Sequence, residues 1–588
     1  MIDAAGLPLP PATGLRRLWR LGRRGAAEHA GERLGWLDTD VDSRHPVEVG
    51  HNRLIVLGAL FALVFSTIAG RLVEITLLTP AEPHASSVRR ALPIERGEIT
   101  DRNGVLLATS LGMISVYADP RKVLDPTAAA EALVRVLPDL NETTIRNRLA
   151  SGRSFVYIKR DLTPRQEYDV NRLGLPGVYF QREDRRLYPQ GPLIAHVLGF
   201  SDVDNHGLAG VEKFMDERLR ASDTLQLSID LRIQSIVREE LMDAMQTFTA
   251  LGAAAVVMDV HTGELLALVS LPDFDPNDPG SAPADARFNR VTLGVYEMGS
   301  TFKIFNTAMA LDNGTTSLTG GYDATNPIRV ARFTITDYHA QKRWLSVPEI
   351  FMYSSNIGSA RMALDDGTAA QRAFLDRIGM LRPVKIELPE VGHPHIPMPW
   401  RPINTMTIAF GHGISVSPLH MAAGTAAVVN GGMLIEPTVI RRDPGEPLPE
   451  TRVLSTKTSE SMRKLFRLVV EQGTGKLAEV PGYMVGGKTG TAEKAARGGY
   501  REKALISSFD AAFPMNDPKY VVFVMIDEPH GTKATYGYAT AGYTAAPAAG
   551  RIIARIGPLL GMMPQDEAPL DRAMAVDLHP GGAHVAAQ

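Results

Sequence analysis

No cysteine occurs among the 588 residues, which excludes disulfides, a thiol nucleophile and thiolate metal sites. An excess of either charge is also missing. The 62 basic and 65 acidic side chains leave a formal net charge of −3, which gives no reason to expect nucleic acid as a partner. No H-E-x-x-H run is present, and nothing in the chain calls for a cofactor or a metal. Long hydrophobic runs are scarce: there is one, Leu54 to Gly70, uncharged and mostly apolar. With Leu72 and Val73 beyond Arg71 it reaches spanning length, and Arg71 can extend to the interface. No A-x-A-like cleavage site follows closely, so a removed signal peptide is disfavoured. Arg16, Arg17, Arg20, Arg23 and Arg24 precede the run, and the positive-inside rule places that end in the cytoplasm. The expectation is a single-pass protein of the inner (cytoplasmic) membrane, anchored over 54–78, with a periplasmic body.

The length suggests two to four domains. Residues 1–53 read as a flexible cytoplasmic segment and Pro80 to Arg90 as a linker. Residues 79–225 read as an elongated α+β pedestal. Its cues are turn chemistry at Asp101-Arg-Asn-Gly104, strand-like runs on either side, and helical spacing of Leu133, Val136 and Leu137. No acid–base pair with catalytic spacing stands out before residue 240. Residues 226–565 read as a second domain and 566–588 as a tail. In the second domain two strand-like runs, Ala253 to Val260 and Leu265 to Ser270, flank a His261-Thr-Gly-Glu264 turn. Three more, Tyr483 to Glu493, Ser507 to Phe513 and Tyr520 to Ile526, come near its end, before a closing helix from Ala545 to Leu560. Two strands, a helical insert and three strands predict one antiparallel sheet built from both ends, flanked by helices, with a cleft where insert meets sheet.

Three polar motifs lie in fixed order in this domain: Ser300-Thr-Phe-Lys303, Ser354-Ser-Asn356 and Lys488-Thr489-Gly490. S-x-x-K alone is expected about twice in such a chain. Ser461-Met-Arg-Lys464 is the chain's own decoy: no S-x-N separates it from Lys488, and Glu460, Arg463 and Arg467 suggest a solvated helix face. A serine hydroxyl needs a neighbour to take its proton, and positions i and i+3 share one helix face. Ser300 at a helix start therefore places the Lys303 amine beside it. The amine can accept a proton only if burial or a second cation lowers its pKa, and Lys488 on a facing strand can be that cation. Ser354 and Asn356 then form a polar rim on a helix–helix loop. Lys488 and Thr489 form a cationic, hydroxyl-bearing strand edge for a substrate carboxylate, and Gly490 lets a peptide lie flat. Asp365 and Asp366, in Asp-Asp-Gly turn chemistry, read as solvated.

On these motifs residues 55 to about 565 resemble the monofunctional class B penicillin-binding proteins. Arg96-Gly-x-Ile-x-Asp-Arg-Asn-Gly104, Arg186-x-Tyr-Pro189 and Gly207-x-x-Gly210-x-Glu212 are similar to the family's N-terminal boxes. Asn289-Arg290 and Glu297-x-Gly-Ser-Thr-Phe-Lys303 resemble its approach to the nucleophile. Gly411-His-Gly413, Ser417-Pro-Leu-His420, Gly431-Gly432 and Gly473-Thr-Gly475 fit its approach to Lys488-Thr-Gly-Thr491. Met298 departs from the proline of many relatives. The resemblance implies a penicilloyl-serine transferase fold behind a dimerisation-like pedestal, and D,D-transpeptidase activity on peptidoglycan stem peptides through an acyl-enzyme on Ser300. It further implies inhibition by β-lactams and an oxyanion hole from the N–H groups of Ser300 and Thr491. The Arg-x-Tyr-Pro box, Gly207-Leu-Ala-Gly-Val-Glu212 and the ending Ile526-Asp-Glu-Pro529 with Tyr543-Thr-Ala-Ala-Pro547 resemble the cell-division (septal) type more than the elongation type. By the same resemblance the partners are a septal multi-pass glycosyltransferase and other divisome membrane proteins. A serine β-lactamase, a β-lactam receptor and a non-catalytic scaffold are the competing classes.

Overall fold

The computed structural model describes residues 46–73, 95–330, 333–496, 499–565 and 574–576. The expected N-terminal segment up to residue 45, the linker at 80–90 and nearly all of the 566–588 tail lie outside them. The chain divides into two units, Met1–Ala91 and Leu92–Gln588.

In the first unit, Pro46–Val73 is one helix. Its described side chains run from 55 to 70, and Ile55, Leu57, Phe61, Leu63 and Phe65 are exposed. Among the described residues no helix is long and apolar enough to cross a membrane.

The second unit begins with a mixed sheet. Its spine is the strand Leu106–Ala118, which pairs antiparallel with Val156–Leu162, Val178–Leu187 and the short Ile99–Thr100. Ile99–Thr100 in turn pairs parallel with Leu225–Gln226. The turn before the spine forms as the sequence predicts: Asp101 Oδ1 accepts from Asn103 N at 2.7 Å and Val105 N at 2.8 Å, and Gly104 has φ +83°. Helices Pro126–Val136 and Glu142–Leu149, capped by Asp125 and Asn141, bury Leu133, Ile145 and Leu149 against Val116, Val156 and Ile158.

The N-terminal boxes meet in space. Glu212, fully buried, accepts from Arg96 Nε at 2.6 Å and Arg186 Nε at 2.7 Å, while Arg96 Nη1 reaches Asp216 at 2.7 Å. Gly207 is required because a Cβ there would lie 2.0 Å from the Glu212 carbonyl oxygen. These residues hold chain segments more than a hundred positions apart.

The second domain carries the predicted antiparallel sheet, ordered Gly486–Ala496, Gly499–Phe513, Tyr520–Asp527, Gly252–Asp259, Leu265–Leu271. Its central strands are apolar on both faces because helices cover both. Ala253, Ala255 and Val257 pack with helices Leu231–Phe248 and Ala545–Leu559. Ala254, Val256 and Met258 pack with the helical insert, including Phe302, Phe305, Val428 and Phe466. Gly486–Ala496 is an edge strand, bordering the insert. The expected strand start at Tyr483 is displaced to Gly486 because Met484 has φ +48°, which an extended strand cannot contain. The next strand starts at Gly499 rather than Ser507, since Arg501, Glu502 and Lys503 obscure its apolar period. The decoy Ser461 sits within helix Thr456–Glu471, bonded to its own Lys457 carbonyl at 3.0 Å. Arg467 is not solvated as the sequence suggested: it is buried and paired with Glu471 and Glu479.

Removing Glu212 leaves two buried guanidinium groups facing one another. Glu212→Ala is expected to cost about 3–5 kcal/mol in chemical denaturation. Asp169→Ala, at the surface pair 3.9 Å from Arg165, is expected to change stability by less than about 1 kcal/mol.

Candidate active site

The sequence predicts Ser300 at an α-helix start. Instead Gly299–Phe302 is a 3₁₀ turn, and the α-helix runs from Lys303 to Asp312. In a 3₁₀ turn positions i and i+3 eclipse, so Lys303 lies directly over Ser300. The turn is wedged into place by glycines. Gly299 has φ +55°, and a Cβ on it would lie 2.6 Å from the Thr491 carbonyl oxygen; a Cβ on Gly411 would lie 2.1 Å from that of Gly299. Gly490 has the same origin: a Cβ would meet Met298 O at 2.5 Å and Thr301 Cγ2 at 2.8 Å. The glycine expected to let a peptide lie flat is thus needed first by the nucleophile turn.

Ser354 caps helix Val347–Tyr353 in the left-handed region, φ +61°. For a non-glycine residue this costs about 1–3 kcal/mol. The conformation aims both its carbonyl and its hydroxyl at Lys303. Asn356 opens the next helix, Asn356–Asp366. Ser355 caps that helix and donates to Asp337 Oδ2 at 2.8 Å, while Asp337 Oδ1 accepts from Ile357 N at 2.9 Å. Asn356 Nδ2 donates to Thr336 O at 2.9 Å, which leaves Oδ1 turned inward.

The five candidate catalytic residues converge. Lys303 Nζ lies 2.9 Å from Ser300 Oγ, 2.6 Å from Ser354 O, 3.0 Å from Ser354 Oγ and 2.8 Å from Asn356 Oδ1. Lys488 Nζ lies 3.0 Å from the same Ser354 Oγ and 3.1 Å from Thr489 O. Both lysines are fully buried. Two of Lys303's partners, Ser354 O and Asn356 Oδ1, can only accept. A neutral amine satisfies them with its two N–H bonds and keeps a lone pair for the Ser300 hydroxyl, which is the arrangement a proton acceptor needs.

Electrostatics favour that state. Burial first, then the Lys488 charge, push Lys303 well below the usual lysine range, with Asp337 opposing. Burial brings Lys488 down to about 7. Asp510, directly opposite Lys488 on the next strand, offers no fixed counter-charge. It accepts from Thr425 Oγ1 at 2.7 Å, and burial pushes its carboxyl well up, toward the neutral form.

The candidate substrate-binding residues continue along the edge strand. Thr489 Oγ1 is 2.6 Å from Thr474 Oγ1, and Thr491 Oγ1 accepts from Ala541 N at 3.1 Å. Thr474 and Ala541 thus steady the strand's two hydroxyls; the Gly473-Thr-Gly475 motif contains Thr474 without giving it a role, and Ala541 lies outside every motif of the sequence analysis. Asp337 and Asp510 were not flagged at all. Asp366 departs from its expected solvation: it is half-buried, accepts from Asn313 Nδ2 and Thr315 Oγ1 at 2.8 Å each, and burial raises its pKa. It ends the helix that Asn356 begins, about 15 Å away at 1.5 Å per residue.

Comparison with known proteins identifies both domains. The penicillin binding protein transpeptidase domain matches residues 253–554, and the penicillin-binding protein dimerisation domain matches residues 91–239. The chain belongs to the penicillin-binding protein transpeptidase family. It is 42% identical to the probable peptidoglycan D,D-transpeptidase FtsI of Caulobacter vibrioides, over 80% of this chain and 82% of that one. It is 30% identical to the peptidoglycan D,D-transpeptidase FtsI of Escherichia coli K12, over 85% and 90%. Among solved structures, penicillin binding protein 3 of Mycobacterium tuberculosis complexed with aztreonam superposes with a TM-score of 0.65 at 23% identity, covering 81% of this chain and 98% of that one.

If Lys303 takes the Ser300 proton, Lys303→Ala should slow acylation by a penicillin by roughly 10²–10⁴-fold. Lys303→Arg should fail similarly, because a guanidinium keeps its proton at working pH. Stopped-flow acylation of each variant checks this; near-parental rates for Lys303→Arg would remove Lys303 from the role.

Proposed function

We propose that this chain is a serine-type peptidoglycan D,D-transpeptidase serving the division septum. The observation that carries the reading is the Lys303 amine, fully buried and bonded at once to Ser300, Ser354 and Asn356. Ser300 Oγ attacks the penultimate D-Ala carbonyl of a stem peptide while Lys303 accepts its proton. The developing oxyanion lies between the N–H groups of Ser300 and Thr491, where loss of one donor costs about 10²–10³-fold in rate. Ser354, between the two lysines, passes a proton to the departing D-Ala nitrogen. Lys488, with Thr489 and Thr491, receives the terminal carboxylate. An acceptor amine then takes the acyl group. A β-lactam enters the same path and stops at the acyl-enzyme.

The septal role rests on the two FtsI relatives and on the pedestal boxes. Residues 54–78 are proposed as the single membrane anchor, with the N-terminus cytoplasmic and the body periplasmic. The exposed apolar side chains at Ile55, Leu57, Phe61 and Phe65 support a lipid-facing helix. The septal multi-pass glycosyltransferase and other divisome membrane proteins remain the proposed partners.

Transpeptidation requires an acyl-enzyme that resists water. Asp337 has both oxygens occupied, and Asp365 and Asp366 close the far end of the Asn356 helix. The penicilloyl adduct is therefore expected on Ser300 and not Ser461 by peptide mass spectrometry, persisting for many minutes after free drug is removed. A thioester donor with a D-amino acid should give exchange product. Release within seconds, with hydrolysed penicillin accumulating catalytically, would identify a β-lactamase instead.

A further inference from the structure

A small two-stranded sheet, Gly321–Asp323 with Trp344–Ser346, runs directly into helix Val347–Tyr353, whose C-cap is Ser354. In it Trp344 is paired with Asp323 and Ser346 with Gly321. Side chains two residues apart share a face, so Trp344, Asp323 and Gly321 belong to one surface. Leu345, on the opposite face, is buried. A Cβ on Gly321 would lie 2.2 Å from Trp344 Cζ2 and 2.4 Å from Cη2. The glycine therefore lets the six-membered ring of the indole rest on bare backbone. Trp344 is held down in this way and is still 44% exposed.

Arg343 joins this surface to the catalytic loop. Its Nη1 donates to Trp344 O at 3.0 Å, its Nη2 to Glu349 Oε1 at 2.6 Å, and it also donates to the Tyr353 hydroxyl. Tyr353 is exposed and directly precedes Ser354. Asp323, directly opposite Trp344, has its carboxylate fixed where Oδ1 accepts from Thr325 N at 2.9 Å. An anchored indole with a carboxylate beside it suits a pyranose ring. The sugar's C–H face stacks on the aromatic ring, and its hydroxyl and acetamido groups find a hydrogen-bond acceptor alongside. The other outward positions of the two strands are Gly321 and Ser346, so the surface lacks the apolar core of a protein interface. Helix Val347–Tyr353 rises ~10 Å between this sheet and Ser354, within the ~14 Å that four extended residues of a stem peptide can span.

We propose that Trp344, with Asp323 beside it, is a sugar platform that holds the N-acetylated glycan strand from which a reacting stem peptide hangs. The inference rests on the transpeptidase reading above and adds to it a second point of substrate attachment, outside the lysine cluster. Its contribution is to binding: the platform touches no reacting atom.

The test uses the full chain and two donors that differ only in the sugar, a pentapeptide still joined to a short glycan strand and the free pentapeptide. Trp344→Ala is expected to raise KM for the glycan-linked donor about tenfold with kcat unchanged, as for the loss of one aromatic contact. Turnover of the free pentapeptide and acylation by penicillin stay at the parent level. Trp344→Tyr, which keeps a ring, recovers part of the loss, and Asp323→Asn raises the same KM. In the parent, the β-1,4-linked N-acetylglucosamine tetramer shifts a tryptophan emission that is absent from Trp344→Tyr. A parallel fall with the free pentapeptide or with penicillin would make Trp344 a brace for the Ser354 helix and overturn the proposal. Equal KM values for the two donors in the parent overturn it too. So does an emission unmoved by the tetramer, which would assign the surface to a protein partner if Trp344→Ala then fails only in the cell. A parent that forms no acyl-enzyme on Ser300 would instead reject the transpeptidase reading, and the tetramer would still report on Trp344.

Discussion

The site depends on one hydroxyl. Ser354 Oγ stands 3.0 Å from Lys303 Nζ and 3.0 Å from Lys488 Nζ, and both amines are cut off from water. Two ammonium ions cannot share such a point in a low dielectric, because their repulsion adds to two desolvation costs. At least one proton must leave. The bonding pattern selects Lys303, whose obligate acceptors use up two N–H bonds and leave a lone pair facing Ser300. The architecture supports this choice: the strained Ser354 cap and the Asp337-anchored helix carrying Asn356 hold partners in place, and burial pushes the carboxyl of Asp510, opposite Lys488, up and away from the charged form.

The sheet supplies the rigidity. Its two N-terminal and three C-terminal strands enclose the helical insert, so Ser300, Ser354 and Lys488 come from an insert turn, an insert loop and the sheet edge. Their alignment is set where backbone touches backbone, at Gly299, Gly411 and Gly490. A side chain at Gly299 or Gly490 would push the nucleophile turn off the edge strand, and one at Gly411 would push it off the Gly411 segment; a displacement of about 1 Å is enough to impair proton transfer. The pedestal works in the same way at larger scale, with Glu212 gathering two arginines from distant segments.

Much of this was legible in the sequence because its carriers are local. A lysine three residues after a serine, a glycine after a lysine–threonine pair and alternating or continuous apolar runs have meaning within a few positions. The sheet's composition from both ends followed from those runs. What escaped was non-local. Asp337 acts on Ser355 eighteen residues on, Thr425 on Asp510 eighty-five on, and Glu297 on His412 a hundred and fifteen on. No periodicity encodes such pairings. Arg467 and Asp366 were misjudged for a related reason: a charged residue looks solvated until the segments that cover it are known. The reason for Gly490 was also hidden, since the Met298 carbonyl that excludes a Cβ comes from the other side of the cleft.

The protonation state of Lys303 is the central claim, and it can be measured directly. In protein labelled with ¹⁵N-lysine, the Nζ resonance lost in Lys303→Arg identifies the residue. Its shift at neutral pH is predicted to be that of a free amine, with protonation only as the pH is lowered. An ammonium shift that persists toward the ordinary lysine pKa of about 10.4 would contradict the account.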